Sequence, residues 1–165
     1  MLNSISRSVI GAVVATVLLN PAIPTVYARG YTTYAPDFHF MLGGRPYDLS
    51  DLRGKVVVLD FWASWCGPCQ RSLPEVSRLN DQFDDVIFLG INDEDQATIR
   101  STERRLGLSF PNILDRDQSI SNLYGVQSIP TSVVIDSRGR IADVIVGFHN
   151  DGTLERAVER ARRRQ

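Results

Sequence analysis

Cys66 and Cys69 are the only cysteines in the 165-residue chain, and both stand in one short stretch, Cys66-Gly67-Pro68-Cys69. Two thiols at this spacing can exchange disulfides, supply half of a metal site, or close a small structural staple. A structural zinc takes four ligands, commonly from two such pairs or from added histidines. This chain has no second pair, and its two histidines, His39 and His149, are far from the cysteines in sequence. Each reads as an ordinary strand or surface residue, and no metal is expected. A staple around so short a loop would constrain little of the unfolded chain, and secreted disulfide-stapled domains normally carry several bridges. Redox exchange is the chemistry these residues favour.

The neighbouring residues must position the pair. Lys55 to Trp62, "KVVVLDFW", is a continuous β-branched and aromatic run, the pattern of a central strand buried on both faces. Pro68 stands where the first turn of a helix tolerates it. Leu73, Val76, Leu79 and Phe83 then recur at helical spacing, and Pro74 among them predicts a kink rather than a stop. Cys66 therefore falls just past the C-terminal end of a buried strand, at the first turn of a helix. Unpaired backbone N–H groups and the positive dipole end there stabilise a thiolate, the nucleophile of disulfide exchange. Cys66 is expected to attack. Cys69, deeper in the helix, is expected to be the more buried thiol and to resolve the mixed disulfide.

Two acids could assist. Asp60 interrupts the apolar run, and burying a carboxylate without a partner is costly enough to raise its pKa. Such a group can accept the Cys69 proton, directly or through one water. The alternative is a structural acid bonded to nearby backbone or to Lys55. Glu94 follows the second apolar run, "VIFLGIN" (Val86 to Asn92). The C-terminal end of that strand should lie on the active-site edge, where open α/β sheets place their ligands. Glu94 is thus a candidate accessory acid, but Asp93, Glu94 and Asp95 equally suit a solvated helix start.

The remaining elements describe one α/β domain. "DFHF", "GGRP" and "YDLSDL" suggest a short hairpin followed by a turn, with Gly43 and Gly44 at the bend. A helix is expected from about Asp95 to Leu106, ended by Gly107, and then a loop with one helical turn in "DRDQSISNLYGV". "TSVVIDSRGRIADVIVG" reads as a second hairpin bending at Asp136–Arg140. A last helix carries Leu154, Ala157, Val158 and Ala161, with Asp151 available as its cap. Strand–helix–strand units imply parallel pairing, and the closing hairpin adds antiparallel strands, giving a mixed sheet between helices.

The N-terminus stands apart from this domain. Arg7 precedes the apolar run Val9 to Leu19, and Val26 and Ala28 suit signal cleavage after Ala28. The apolar run is shorter than the ~20 residues of a spanning helix, and Pro21 and Pro24 would break a longer one. Residues 1–28 are expected to be a secretory signal, or an uncleaved anchor using residues 9–27. Residues 29–35 read as a flexible lead-in, and 36–165 as the domain. Formal net charge is −1, which excludes a typical nucleic-acid binder. Nearly all the positive charge is arginine, with Lys55 the single lysine. A peroxidase is disfavoured because no third cysteine exists and peroxidatic cysteines occupy another motif. A non-catalytic binding module would not need both thiols.

"FWASWCGPC" with the later "SIPTSVVID" resembles the thioredoxin superfamily, and the match extends over residues 36–162. The resemblance implies a thioredoxin-like three-layer sandwich, a mixed central sheet flanked by helices, with an extra N-terminal β-hairpin. It implies a redox-active Cys66–Cys69 disulfide, no cofactor, and a cis Ile129–Pro130 bond lying against the cysteines. It places the Ile129 backbone, Trp65, Gly67, Pro68 and Gly147 around a groove for an extended substrate, and it matches Asp60 to the buried acid of thioredoxins. "APDFHFMLGGRPYDLSDLRGKVVVLDFWASWCGPC" is similar to the exported TlpA/ResA-type thiol–disulfide oxidoreductases, a subgroup with a glutamate in the stretch that holds Glu94. This implies an extracytoplasmic, periplasmic or membrane-tethered monomer that exchanges disulfides with protein substrates, with a membrane thiol donor of electrons. Several members serve cytochrome c maturation. The Gly67–Pro68 spacer and Asp60 follow general thioredoxins rather than that branch, so a broader reductase is expected, with a disulfide-donating oxidase or isomerase as the alternative.

Overall fold

The computed structural model describes residues 33–164. The signal or anchor segment and the start of the lead-in lie outside the described residues. A two-stranded hairpin, β1 (His39–Leu42) and β2 (Arg45–Asp48), precedes a 3-10 turn at Leu49–Leu52. Then follow β3 (Val56–Phe61), α1 (Gly67–Gln82), β4 (Val86–Asn92), α2 (Gln96–Leu106), β5 (Asn112–Leu114) and α3 (Ser119–Leu123). A closing hairpin, β6 (Thr131–Ile135) and β7 (Ile141–Val146), leads into α4 (Thr153–Arg162).

Five strands form one mixed sheet in the order β5-β4-β3-β6-β7. β3 and β4 run parallel, as do β4 and β5, whereas β6 is antiparallel to β3 and β7 to β6. β3 is central and every one of its residues is buried, which is why its apolar run does not alternate. Successive side chains of a strand point to opposite faces, so β3 feeds two cores. Val56, Val58 and the following Trp62 pack with Leu73, Val76 and Leu79 of α1, Ile99 of α2, and Leu154 and Val158 of α4. Val57, Leu59 and Phe61 pack with Phe38 and Phe40 of the hairpin, Leu49, and Ile120 and Tyr124 of the α3 region. The second face is thus covered mainly by the N-terminal hairpin and one short helix.

The helix ends follow local chemistry. Asp95 Oδ1 accepts from the N–H groups of Ala97 and Thr98 at 2.9 and 3.0 Å, and Gly107 closes α2 at φ 63°. α1 continues through Pro74, as expected of a proline that does not stop the helix. α4 differs in its start: its cap position is Gly152, at φ 75°, and Asp151 accepts the Thr153 N–H at 3.1 Å from one residue earlier. β5 was not expected as a strand, because three residues are too few for a periodic pattern. The chain is already tied down before residue 36. Ala35 N–H donates to Gly139 O, Ile141 N–H donates to Thr33 O, both at 2.9 Å, and the Tyr124 hydroxyl donates to Pro36 O at 2.8 Å.

Candidate active site

Cys66 is the N-cap residue of α1, with Gly67 and Pro68 opening the helix. The two cysteines are joined by a disulfide with Cα atoms 5.2 Å apart. The Cys69 N–H donates to Cys66 Sγ at 3.1 Å, so the first turn of the helix aims an orphan donor at the sulfur that would carry the negative charge. Cys66 is 5% exposed and Cys69 fully buried, the expected order.

The Ile129–Pro130 bond is cis, and the Ile129 carbonyl oxygen lies 3.7 Å from Cys66 Sγ. The segment before β6 therefore abuts the disulfide directly. Gly147, at φ 86°, donates its N–H to Pro130 O at 2.8 Å, tying the end of β7 to the same place. Trp65 projects from the other side and is 73% exposed. Between Trp65 and Ile129 lies a cleft of about 160 Å³, floored by Phe61 and Ile91 and walled by Asp93 and Gln118. Gly67, Pro68, Trp65, Ile129, Pro130 and Gly147 are thus brought together around Cys66. His39 is elsewhere, 3.0 Å from Asp48 in the hairpin, and His149 lies past β7 with Nε2 3.1 Å from Val146 O.

Asp60 is 1% exposed. It shares the strand face of Val58 and Trp62, which pack on the same side of the sheet as Cys69 and Leu73. Ser132, its antiparallel partner across β3 and β6, donates its hydroxyl to Asp60 Oδ1 at 2.6 Å. Oδ2 is buried and has no partner among the described residues. Burial pushes the Asp60 pKa up to about 7, against the opposing pull of the Ser132 hydroxyl. Lys55 is not its partner. Ser132 is a residue that sequence reasoning missed; its only signal was a second hydroxyl, after that of Thr131, leading into the apolar run Val133–Ile135.

Glu94 is not a solvated helix start, since Asp95 caps α2. Its Oε2 accepts from the Ser64 N–H at 2.6 Å and from Asn92 Nδ2 at 3.1 Å, and its Oε1 from the Ser64 hydroxyl at 2.6 Å. From the opposite side Gln70 Nε2 donates to Ser64 O at 2.6 Å. Every polar group of Ser64 is thereby held, two residues before Cys66. Glu94 bears on the site through this clamp, whose other members, Ser64, Gln70 and the buried Asn92, carried no signal in the sequence.

The AhpC/TSA family profile matches residues 32–144. The chain belongs to that family. It is 36% identical over 165 residues to the thiol-disulfide oxidoreductase ResA of Geobacillus thermodenitrificans, covering 93% of this chain and 95% of that protein. A crystal structure from Chlorobium tepidum, described as a candidate thiol:disulfide interchange protein DsbE, superposes with TM-score 0.73 and 31% identity. It covers 79% of this chain and 96% of that one. A secreted Mycobacterium tuberculosis disulfide oxidoreductase, homologous to E. coli DsbE, gives TM-score 0.67 at 28% identity, over 74% of this chain and 95% of that one. The fold of this AhpC/TSA member is thioredoxin-like, and its Cys66–Cys69 pair is that of a thiol–disulfide oxidoreductase.

Proposed function

We propose that the chain is an exported, monomeric reductase of protein disulfides. The observation that carries the disulfide-exchange chemistry of this reading is the placement of Cys66. It caps α1, accepts the Cys69 N–H, and has Ile129 O 3.7 Å from its sulfur. A substrate strand pairing with the Ile129 backbone, a β-augmentation contact, would present its disulfide to that sulfur. The Cys66 thiolate attacks one substrate sulfur, forming a mixed disulfide and expelling the other as a thiolate. Cys69 then gives its proton to Asp60 and attacks Cys66 Sγ, expelling the second substrate thiolate. The products are the Cys66–Cys69 disulfide and two substrate thiols. A dithiol donor, in an exported setting a membrane thiol carrier, returns two electrons and two protons.

Export is supported by the apolar N-terminal stretch and by the secreted relative from M. tuberculosis. The alternative direction, donation of the disulfide as an oxidase or isomerase, uses the same geometry in reverse and differs only in redox poise. Two measurements test the reading. The equilibrium of the Cys66–Cys69 pair with glutathione should give a potential more reducing than the ~−180 mV of a disulfide isomerase; a less reducing value would overturn the reductase direction. Cys69→Ser should trap substrate on Cys66, and Cys66→Ser should trap none. An adduct found on Cys69 instead would reverse the two roles.

A further inference from the structure

Beside Cys66, and outside the lining of the Trp65 cleft, an arginine and an aromatic ring form a platform. Arg71 lies in the first turns of α1, with Nη1 3.4 Å from the Gly67 carbonyl oxygen. Its guanidinium carbon sits 5.4 Å from the centre of the Phe148 ring. Both partners adjoin the reaction centre. Gly67 follows Cys66 directly, and Phe148 follows Gly147, whose N–H is bonded to Pro130 O. Arg71 is exposed, and among the described residues no carboxylate lies within ion-pair distance of it. A guanidinium held over a ring keeps most of its five donors free and loses little further freedom on binding a carboxylate. Among the described residues that line the Trp65 cleft there is no arginine or lysine, and Asp93 and Gln118 there are bonded to each other at 2.7 Å.

We propose that the Arg71–Phe148 platform is a specificity site that captures an acidic side chain of the substrate, close to the cysteine being reduced. The inference rests on the reductase reading and adds a substrate class to it: disulfides flanked by aspartate or glutamate. Arg71 stands on the α1 side and Asp93 in the cleft, so a bound strand would lay its acidic flank over Arg71 and its neutral or basic flank towards Asp93.

The test uses two peptides, each with one cysteine held as a mixed disulfide with a small neutral thiol. One carries glutamate two residues to either side of the cysteine, and the other carries glutamine. Each turnover converts the protein dithiol to its disulfide and releases the peptide thiol and the small thiol. Second-order rates with the reduced protein are normalised to those with dithiothreitol, which removes the intrinsic effect of the charge on the disulfide. The glutamate peptide should react about fivefold faster at low salt, the scale of one exposed charge pair, and the advantage should shrink as salt rises. Arg71→Gln should bring the ratio to about one, and Arg71→Glu should invert it, which a merely structural role would not do. A ratio of one in the unaltered protein, or an advantage that survives Arg71→Gln, would overturn the proposal. Failure to reduce either peptide would overturn the reductase reading and this inference together.

Discussion

Asp60→Asn keeps the shape of the buried side chain and the oxygen to which Ser132 donates, and it removes the titration. Burial lifts the Asp60 pKa from 3.8 to about 7, a gap of about 4 kcal/mol between the protonation states. The fold favours the neutral acid, whereas an unfolded aspartate ionises at its ordinary pKa. Between those two values the unfolded state binds fewer protons than the folded one, so stability falls as pH rises, and the loss is complete above the folded pKa. Asparagine escapes that loss but places an N–H₂ where Oδ2 has no partner among the described residues, at a cost of about 2 kcal/mol. The variant should therefore be about 2 kcal/mol more stable than the parent at pH 8 and close to equal with it at pH 5, measured by denaturant unfolding of the oxidised forms. The same change should impair chemistry. When the reduced protein meets an aromatic disulfide that releases a coloured thiol, the first release reports attack by Cys66 and the second reports resolution by Cys69. At neutral pH the second phase should slow about 100-fold, the usual scale of general base catalysis, and the first should hold. A stability change that is the same at both pH values would refute the buried titration. An unchanged second phase, or a slowed first phase with a normal second, would refute the assignment of Asp60 to Cys69.

Two further substitutions test how the site is held. Glu94→Ala strands the Ser64 N–H and hydroxyl and the Asn92 amide. It should cost about 2 kcal/mol and slow attack by Cys66 in the same colour assay, while Glu94→Gln recovers most of the stability; unaltered unfolding and attack in Glu94→Ala would dismiss the clamp. Gly90→Ala would set a Cβ 1.9 Å from Asn112 Oδ1 and 2.8 Å from Trp62 Nε1, breaking the 2.8 Å bond between those two side chains. About 3 kcal/mol should be lost from overpacking and the broken bond, and adding Asn112→Ala should return part of it, since the two positions share one contact; strictly additive losses would refute that coupling.

Much of this architecture is legible in the chain because single residues announce it locally. The uninterrupted run of β3 declares a strand with two buried faces, Asp95 and Gly107 bracket α2, and the pair Cys66–Cys69, at a helix start with no second pair to complete a metal site, favours redox exchange. What escaped depends on register or on short elements. β5 has three residues and no period to detect, and the cap of α4 at Gly152 rather than Asp151 is decided by a left-handed backbone that its sequence permits without requiring.

The two acids show where the boundary lies. That Asp60 is buried could be argued from its apolar neighbours, because burial is a property of the strand it belongs to. That Ser132 would satisfy one of its oxygens could not, because the pairing joins residues on β3 and β6 across an antiparallel register. Glu94 poses the same problem more sharply. Its sequence context, three consecutive acids before a helix, suits solvation, yet only Asp95 caps α2 while Glu94 turns back to the loop before Cys66. The difference arises because β3 and β4 are parallel neighbours and end side by side, Phe61 opposite Ile91. Residues just past those ends must meet, so the loop carrying Ser64 and the loop carrying Glu94 are forced into contact by topology. Strand order, not local pattern, converts an acidic helix lead into the carboxylate that holds Ser64, two residues before Cys66.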